Sequence, residues 1–190
     1  MTTKFENAFV LNVLSDDHPG IVSAVSEAVA RLEGNIDACS QTVLGGYFTL
    51  IMVVSFAGGV NSDRLTAEVR KAHPGGSDLE VIARPFLPTS FQAKEHRADR
   101  FVITVFGKDR PGVVLRFSRY LAGKDINIVD LFGDRSGDDF VLISQCQIPA
   151  GWDISMLQAD LEEMGKELGF TVRLQHENIF VATNQLRLTH

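Results

Sequence analysis

The chain has 190 residues, of which 45% are hydrophobic and 22% charged, with a formal net charge of −6 and an isoelectric point near 5.3. That length fits one ordinary domain or two small ones, and the acidic balance speaks against direct nucleic-acid binding, which leaves a basic patch; the densest basic run, residues 94–100, is interleaved with Glu95 and Asp99. No apolar run approaches the roughly 20 residues that cross a bilayer, the opening MTTKFENAF has no signal-peptide core, and Cys39 and Cys146 have no metal-ligand spacing, so a cytoplasmic protein with two reduced, partly buried thiols and no membrane contact is expected.

Residues 9–14 have the β-rich composition of a strand. A turn at 15–19 follows, and then Ile21, Val22, Val25, Ala28, Val29 and Leu32 recur at helical spacing as one apolar stripe. Gly34 closes the helix region and Asn35-Ile36 opens a second strand. Gly45-Gly46 is a hairpin signal, and residues 47–56 form a nearly continuous apolar strand. Leu65 and Val69 mark a second helix, and residues 79–83 a last strand.

The same order then returns. Phe9-Val-Leu-Asn-Val-Leu-Ser-Asp-Asp-His-Pro-Gly-Ile-Val22 aligns with Phe101-Val-Ile-Thr-Val-Phe-Gly-Lys-Asp-Arg-Pro-Gly-Val-Val114 at an offset of 92 that runs without a gap to Gly59 and Gly151. Val113, Val114, Phe117 and Leu121 repeat the first stripe, with Asp125 at its close. Ser136-Gly137-Asp138 repeats the hairpin, residues 140–148 the long strand, and Leu157, Leu161, Met164 and Leu168 the second helix, before a strand at 170–174. The order β-α-β-β-α-β is the ferredoxin-like unit. The fold class expected is therefore α+β: two tandem ferredoxin-like modules, each an antiparallel sheet with helices on one face. Module 1 is placed at 1–86, a Pro-bearing, mixed-charge linker at 87–100, module 2 at 101–176 and a tail at 177–190, whose Asn178-Ile-Phe-Val-Ala-Thr183 reads as an extra edge strand or a loose end.

On the long third strand, Phe48, Leu50, Met52, Val54 and Phe56 form the face expected to meet the helices, as do Phe140, Leu142, Ser144, Cys146 and Ile148 in the second copy. The opposite face of the first copy, Tyr47, Thr49, Ile51 and Val53, is too apolar to prefer water and should pack on another sheet or another chain.

The two copies agree most tellingly in a loop. Asp17-His18-Pro19-Gly20-Ile21 matches Asp109-Arg110-Pro111-Gly112-Val113. Asp is a good helix N-cap and Pro suits a first turn. Gly permits close approach of backbone to a neighbour or ligand, and free N–H groups at a helix start attract a carboxylate. On spacing alone, a well-capped helix after a tight turn is the favoured account of the loop.

A strand ending in D-x-P-G-[IV]-[IV], a helix, then N-I at the next strand resembles the ACT domain, and both copies show it, as Asp17 to Val22 with Asn35-Ile36 and as Asp109 to Val114 with Asn127-Ile128. A tandem pair of this length is similar to the glycine cleavage system transcriptional repressor family. The resemblance implies a regulatory protein, a homodimer, that binds an amino acid at interfaces between paired modules and acts on a transcriptional activator by protein contact. It implies two ligand-binding sets: Asp17, His18, Pro19, Gly20 and Ile21 with Asn35 and Ile36, and Asp109, Arg110, Pro111, Gly112 and Val113 with Asn127 and Ile128. Backbone N–H groups at Gly20-Ile21 and Gly112-Val113 would hold the carboxylate, and Asp17, Asp109, Asn35 or Asn127 the ammonium or a polar side chain. His18/Arg110 and Asp16/Lys108 differ, so the second loop is more cationic and is expected to prefer an anion or another ligand.

No catalytic residues, cofactor or metal are expected. The histidines 18, 73, 96, 176 and 190 form no catalytic motif, GxSxG, HExxH, Walker A and GxGxxG are absent, and Asp16-Asp17-His18 becomes Lys108-Asp109-Arg110 in the second copy. An RNA-binding version of the fold would show sheet aromatics and basic residues where this chain has Asp139, Gln145 and Gln147. The alternative to a sensor is a ligand-free interaction or dimerisation module.

Overall fold

The switch of hydrophobic period that separates strand from helix falls at matching points of both halves, and each half folds accordingly. The computed structural model describes residues 1–73, 79–87 and 99–185. The chain divides into two units, Met1–Phe91 and Gln92–His190. The first contains β1 (Asn7–Asp16), α1 (Ile21–Arg31), β2 (Gly34–Leu44), β3 (Tyr47–Phe56), α2 (Ser62–Ala72) and β4 (Glu80–Pro85). The second contains β5 (Asp99–Lys108), α3 (Val113–Gly123), β6 (Asn127–Ser136), β7 (Asp139–Ile148), α4 (Ile154–Leu168), β8 (Phe170–His176) and a last helix, α5 (Glu177–Gln185).

The sheets are antiparallel, in the orders β2-β3-β1-β4 and β6-β7-β5-β8. These are the two ferredoxin-like modules read from the sequence. In the first core Leu11, Val54 and Phe56 from the sheet meet Val25 and Val29 of α1 and Leu65 and Val69 of α2. In the second, Ile103, Val105 and Cys146 meet Phe117 and Leu121 of α3 and Leu157 and Leu161 of α4. The helix-facing side of β3 is the expected one, and Ser144 joins the buried face of β7.

Turn chemistry sets the register. Gly45 and Gly46 have φ of 60° and 88° and join Leu44 to its partner Tyr47, the paired positive φ that twists a two-residue hairpin correctly. The close of α1 differs from the sequence reading. The left-handed residue there is Glu33, with φ 56°, as Asp125 is after α3, and Gly34 opens β2 instead. Gly34 is there for space, since a Cβ would stand 2.3 Å from Phe56 Cε1. A β-bulge interrupts β2 between Ile36 and Ala38, and β6 at the same place, between Ile128 and Asp130.

The open sheet faces differ. In module 1, Tyr47, Ile51 and Ile82 are 59%, 46% and 56% exposed. The Asn35 end of that face carries an N-terminal arm: Lys4 N–H donates to Asp37 Oδ1 (2.9 Å) and Phe5 N–H to Ser55 Oγ (3.2 Å). In module 2 the corresponding end carries α5, which packs on β5 and β8. Gln145 donates to the Glu177 carboxylate, Arg100 pairs with it at 3.9 Å, and Val102 beside them is buried. The tail is therefore a helix up to residue 185, neither an edge strand nor loose. Residues 88–98 of the linker, including Pro88 and His96, and residues 186–190 with His190 lie outside the described residues. Residues 99 and 100, read as linker, open β5. Among the described residues no helix is long and apolar enough to cross a membrane.

Candidate functional site

Both D-x-P-G loops sit where the first strand leaves the sheet, and the hairpin fastens them. Asp17 N–H donates to the Gly46 carbonyl at 2.8 Å, and Asp109 N–H to the Asp138 carbonyl at 2.8 Å. The aspartates do not cap the helices. The N-cap residues are Gly20 (φ 104°) and Gly112 (φ 89°), with no side-chain cap at either. Their carbonyls accept from Ala24 and Arg116 N–H, both at 2.9 Å. The N–H groups of the first turn consequently have no intrahelical acceptor and carry the positive end of the helix dipole. Cβ atoms built on Gly20 and Gly112 meet nothing within 4 Å, so positive φ, rather than crowding in the module, calls for glycine.

Ile21 and Val113 are buried, while Val22 and Val114, counted into the apolar stripes from sequence, are exposed beside the loops. In module 2 a hollow of about 390 Å³ is lined by Asp109, Arg110, Gly112, Val113, Val114, Leu115 and Phe140. A second, more polar one of about 300 Å³ lies against Lys108, Asp109, Arg135, Gly137 and Asp138. Arg135 stands 3.8 Å from Asp109, and Lys108 2.9 Å from Asp139. Carboxylates thus neutralise part of the extra positive charge read from the second loop.

Asn35-Ile36 and Asn127-Ile128 are not brought to their own loops. Asn35 stands opposite Ser55, which stands opposite Ala8. Asp17, just past the end of β1, lies nine residues further along the chain (17 − 8 = 9), at the other end of the sheet, roughly 30 Å away at the strand rise. Asn127 stands opposite Gln147, itself opposite Arg100, again nine residues from Asp109 (109 − 100 = 9). Both Asn-Ile pairs lie on edge strands, with Ile36 exposed and Ile128 half-buried.

Asn35 has a partner invisible in the sequence. Its Nδ2 donates to Asp37 Oδ1 at 2.9 Å, and the bulge brings that carboxylate to the arm. Burial raises the Asp37 pKa, but hydrogen bonds from Ser55, Lys4 N–H and Asn35, with the Lys4 charge, outweigh it and leave the carboxyl below its ordinary value. Asp37 Oδ2 is buried without a partner.

His73, set aside in the sequence with the other histidines, packs on the first loop. The residue is 7% exposed, and its ring stacks on His18 with centroids 4.9 Å apart. Between α3 and α4, Tyr120 donates to Asp160 at 2.8 Å, and Lys124 joins that carboxylate at 3.2 Å while lying over the Tyr120 and Trp152 rings. Burial and the Asp160 contact push the Tyr120 hydroxyl pKa up. The thiols separate: Cys39 is exposed, and Cys146 is buried, with burial pushing its pKa up to about 11. No group of three or more His, Cys, Asp or Glu could hold a metal ion among the described residues.

A model of the ACT domain matches residues 7–81 and 99–175. Among curated relatives, a UPF0237 protein of Methanosarcina acetivorans is 36% identical over 84 residues, which are 44% of this chain and 91% of that protein. One of Methanocaldococcus jannaschii is 39% identical over 82 residues, 43% of this chain and 91% of the relative. Two crystal structures share the fold across both modules. One, of an unknown protein from Galdieria sulphuraria, has TM-score 0.73 at 23% identity, covering 90% of this chain and 98% of that one. The other, of a candidate glycine cleavage system transcriptional repressor, has TM-score 0.63 at 22% identity, covering 89% and 96%. The chain belongs to the ACT domain family and carries this regulatory, ligand-binding fold twice.

Proposed function

We propose that the protein is a non-enzymatic regulator that senses an amino acid where two modules pair, and passes its state by protein contact to a transcriptional regulator. The observation that supports this is the separation of the two repeated motifs. An uncapped helix start lies at one end of each sheet, and the Asn-Ile step at the other. Placed antiparallel beside the β2 edge, a second copy of the chain sets its Asn35 end next to the first copy's Asp17–Gly20 loop. The backbone N–H groups of Gly20 and Ile21 then hold the carboxylate, and Asp17 with the partner's Asn35 holds the ammonium. The exposed, eleven-residue β2 edge suits such pairing. Module 2 offers the same parts through Asp109–Val113 and Asn127-Ile128, with the hollow of about 390 Å³ against its loop. The named function of the repressor-like neighbour makes glycine the first ligand to try.

A thermal-shift series with the twenty amino acids tests the sensing. A ligand that binds only the folded protein, supplied at one hundred times its Kd, adds about 2.7 kcal/mol. A shift with one amino acid or a related group is expected. No shift with any at millimolar concentration contradicts sensing and favours a ligand-free interaction module, for which the exposed Tyr47, Ile51 and Ile82 face speaks.

A further inference from the structure

We propose that the variable second residue of each D-x-P-G loop, His18 or Arg110, is a positioning residue that latches the loop to the C-terminal end of its module's second helix. The copies reach the same place by unrelated chemistry. In module 1, His18 stacks on His73 with 26° between the ring planes, and His73 is the C-cap of α2. In module 2, the C-cap of α4 is Gly169, and the Arg110 guanidinium lies over it: a Cβ there would stand 3.5 Å from Nη2 and 3.6 Å from Cζ. A planar group covers the helix end in each case. The guanidinium also brings positive charge to the negative end of the α4 dipole. The imidazole instead covers a neighbour that is nine-tenths buried and whose Nδ1 has no partner.

Position 18/110 is among the least alike in the loop, whereas Asp, Pro and Gly on either side are identical. Surface residues that differ this much have no reason to converge unless the contact matters. His18 is exposed and its Nδ1 lies 3.1 Å from its neighbour's Pro19 carbonyl, so its ring spans the loop backbone and the helix end. α2 packs on α1 and β4, and α4 on β8. The loop runs directly into the first helix of its module, and the latch adds a second link, from the loop to the far end of the second helix. On the sensing reading above, loop occupancy would be expressed on the helical side of the module.

The latch is tested without any ligand, so its outcome is separate from that of amino-acid sensing. Amide hydrogen exchange is followed on the full chain for H18A, H18F, H73A, R110A and R110K. H18A should speed exchange in the last turn of α2, residues 69–72, by about tenfold, and H73A should do the same at the Asp17 and Ala24 amides, which the Gly46 and Gly20 carbonyls hold. H18F keeps a stackable ring and should restore protection at 69–72. R110A should loosen residues 166–169, and R110K only in part, because a point charge lacks the planar fork. Effects of H18A and R110A confined to their own loops, or H18F behaving as H18A does, overturn the latch. Should H73A unfold module 1, the H18A and H18F pair still decides.

Discussion

Substitution at Gly20 separates conformational strain from crowding, and both from ligand contact. Its φ of 104° lies outside the ordinary range of residues with a Cβ, yet a Cβ there meets nothing within 4 Å. Strain in sparsely populated backbone regions costs of the order of 1–3 kcal/mol. With no neighbour to strike, side-chain size should matter little. Gly20→Ala and Gly20→Leu should therefore lose stability by nearly equal amounts, within about 0.5 kcal/mol of each other. Gly20→Asn should lose less, since Asn tolerates positive φ better. Gly112, with φ 89° and equally open space, should repeat the series. Gly34→Ala is the contrast: its Cβ would stand 2.3 Å from Phe56 Cε1 and 2.9 Å from Val29 Cγ1, both in the core, so overpacking should cost about 3 kcal/mol. Urea unfolding, followed module by module, supplies the stabilities, and titration with the amino acid found by thermal shift supplies affinity. Affinity at Gly20 should fall steeply with side-chain size although stability does not. A stability loss that grows from Ala to Leu refutes the open-space argument, and unchanged affinity for Gly20→Leu and Gly112→Leu refutes the site.

Three further outcomes follow from the geometry. Leu65 is fully buried against the first core, so Leu65→Ala should cost about 2–5 kcal/mol in urea unfolding; a loss below about 1 kcal/mol contradicts that packing. The lowered Asp37 pKa means that its bonds to the arm stabilise it above the unfolded value of about 3.9 and are lost as pH falls through the lower folded value. The Lys4 amide resonance should therefore move below about pH 4 and be pH-independent there in Asp37→Asn; an unmoved wild-type resonance contradicts the arm contact. A thiol reagent at pH 8 should label Cys39 at once and Cys146 only on unfolding, because the latter is buried with its pKa pushed up to about 11; equal rates contradict the placement.

Periodicity and the repeat made the two modules, the order of their elements along the chain and the helix-facing residues of β3 legible, since these are properties of a pattern that two copies report independently. The loop could be found for the same reason, but its geometry could not. Asp17 is a good cap by composition, yet its N–H is held by the hairpin carbonyl of Gly46, and the cap passes to Gly20. His73 escaped because the residue equivalent in space is Gly169, so comparing copies by identity discards a contact that they share by position. Asp37 depends on a bulge, which is a matter of strand register and leaves no local trace. The tail's Ile179 and Val181 favour strand by propensity, whereas the Glu177 contacts with Gln145 and Arg100 are tertiary and override it.

The central claim is that a loop from one chain and an Asn from another complete each site. Mixing two binding-deficient variants tests it, both carrying Gly112→Leu to silence the second loop. Gly20→Leu chains and Asn35→Ala chains are each assayed alone, then mixed, unfolded and refolded together, and titrated with the amino acid found by thermal shift. A site shared between chains predicts that mixed dimers regain one intact site, built from the normal loop of one chain and the normal Asn35 of the other. No recovery of binding on mixing, with either variant's dimerisation intact, would contradict it.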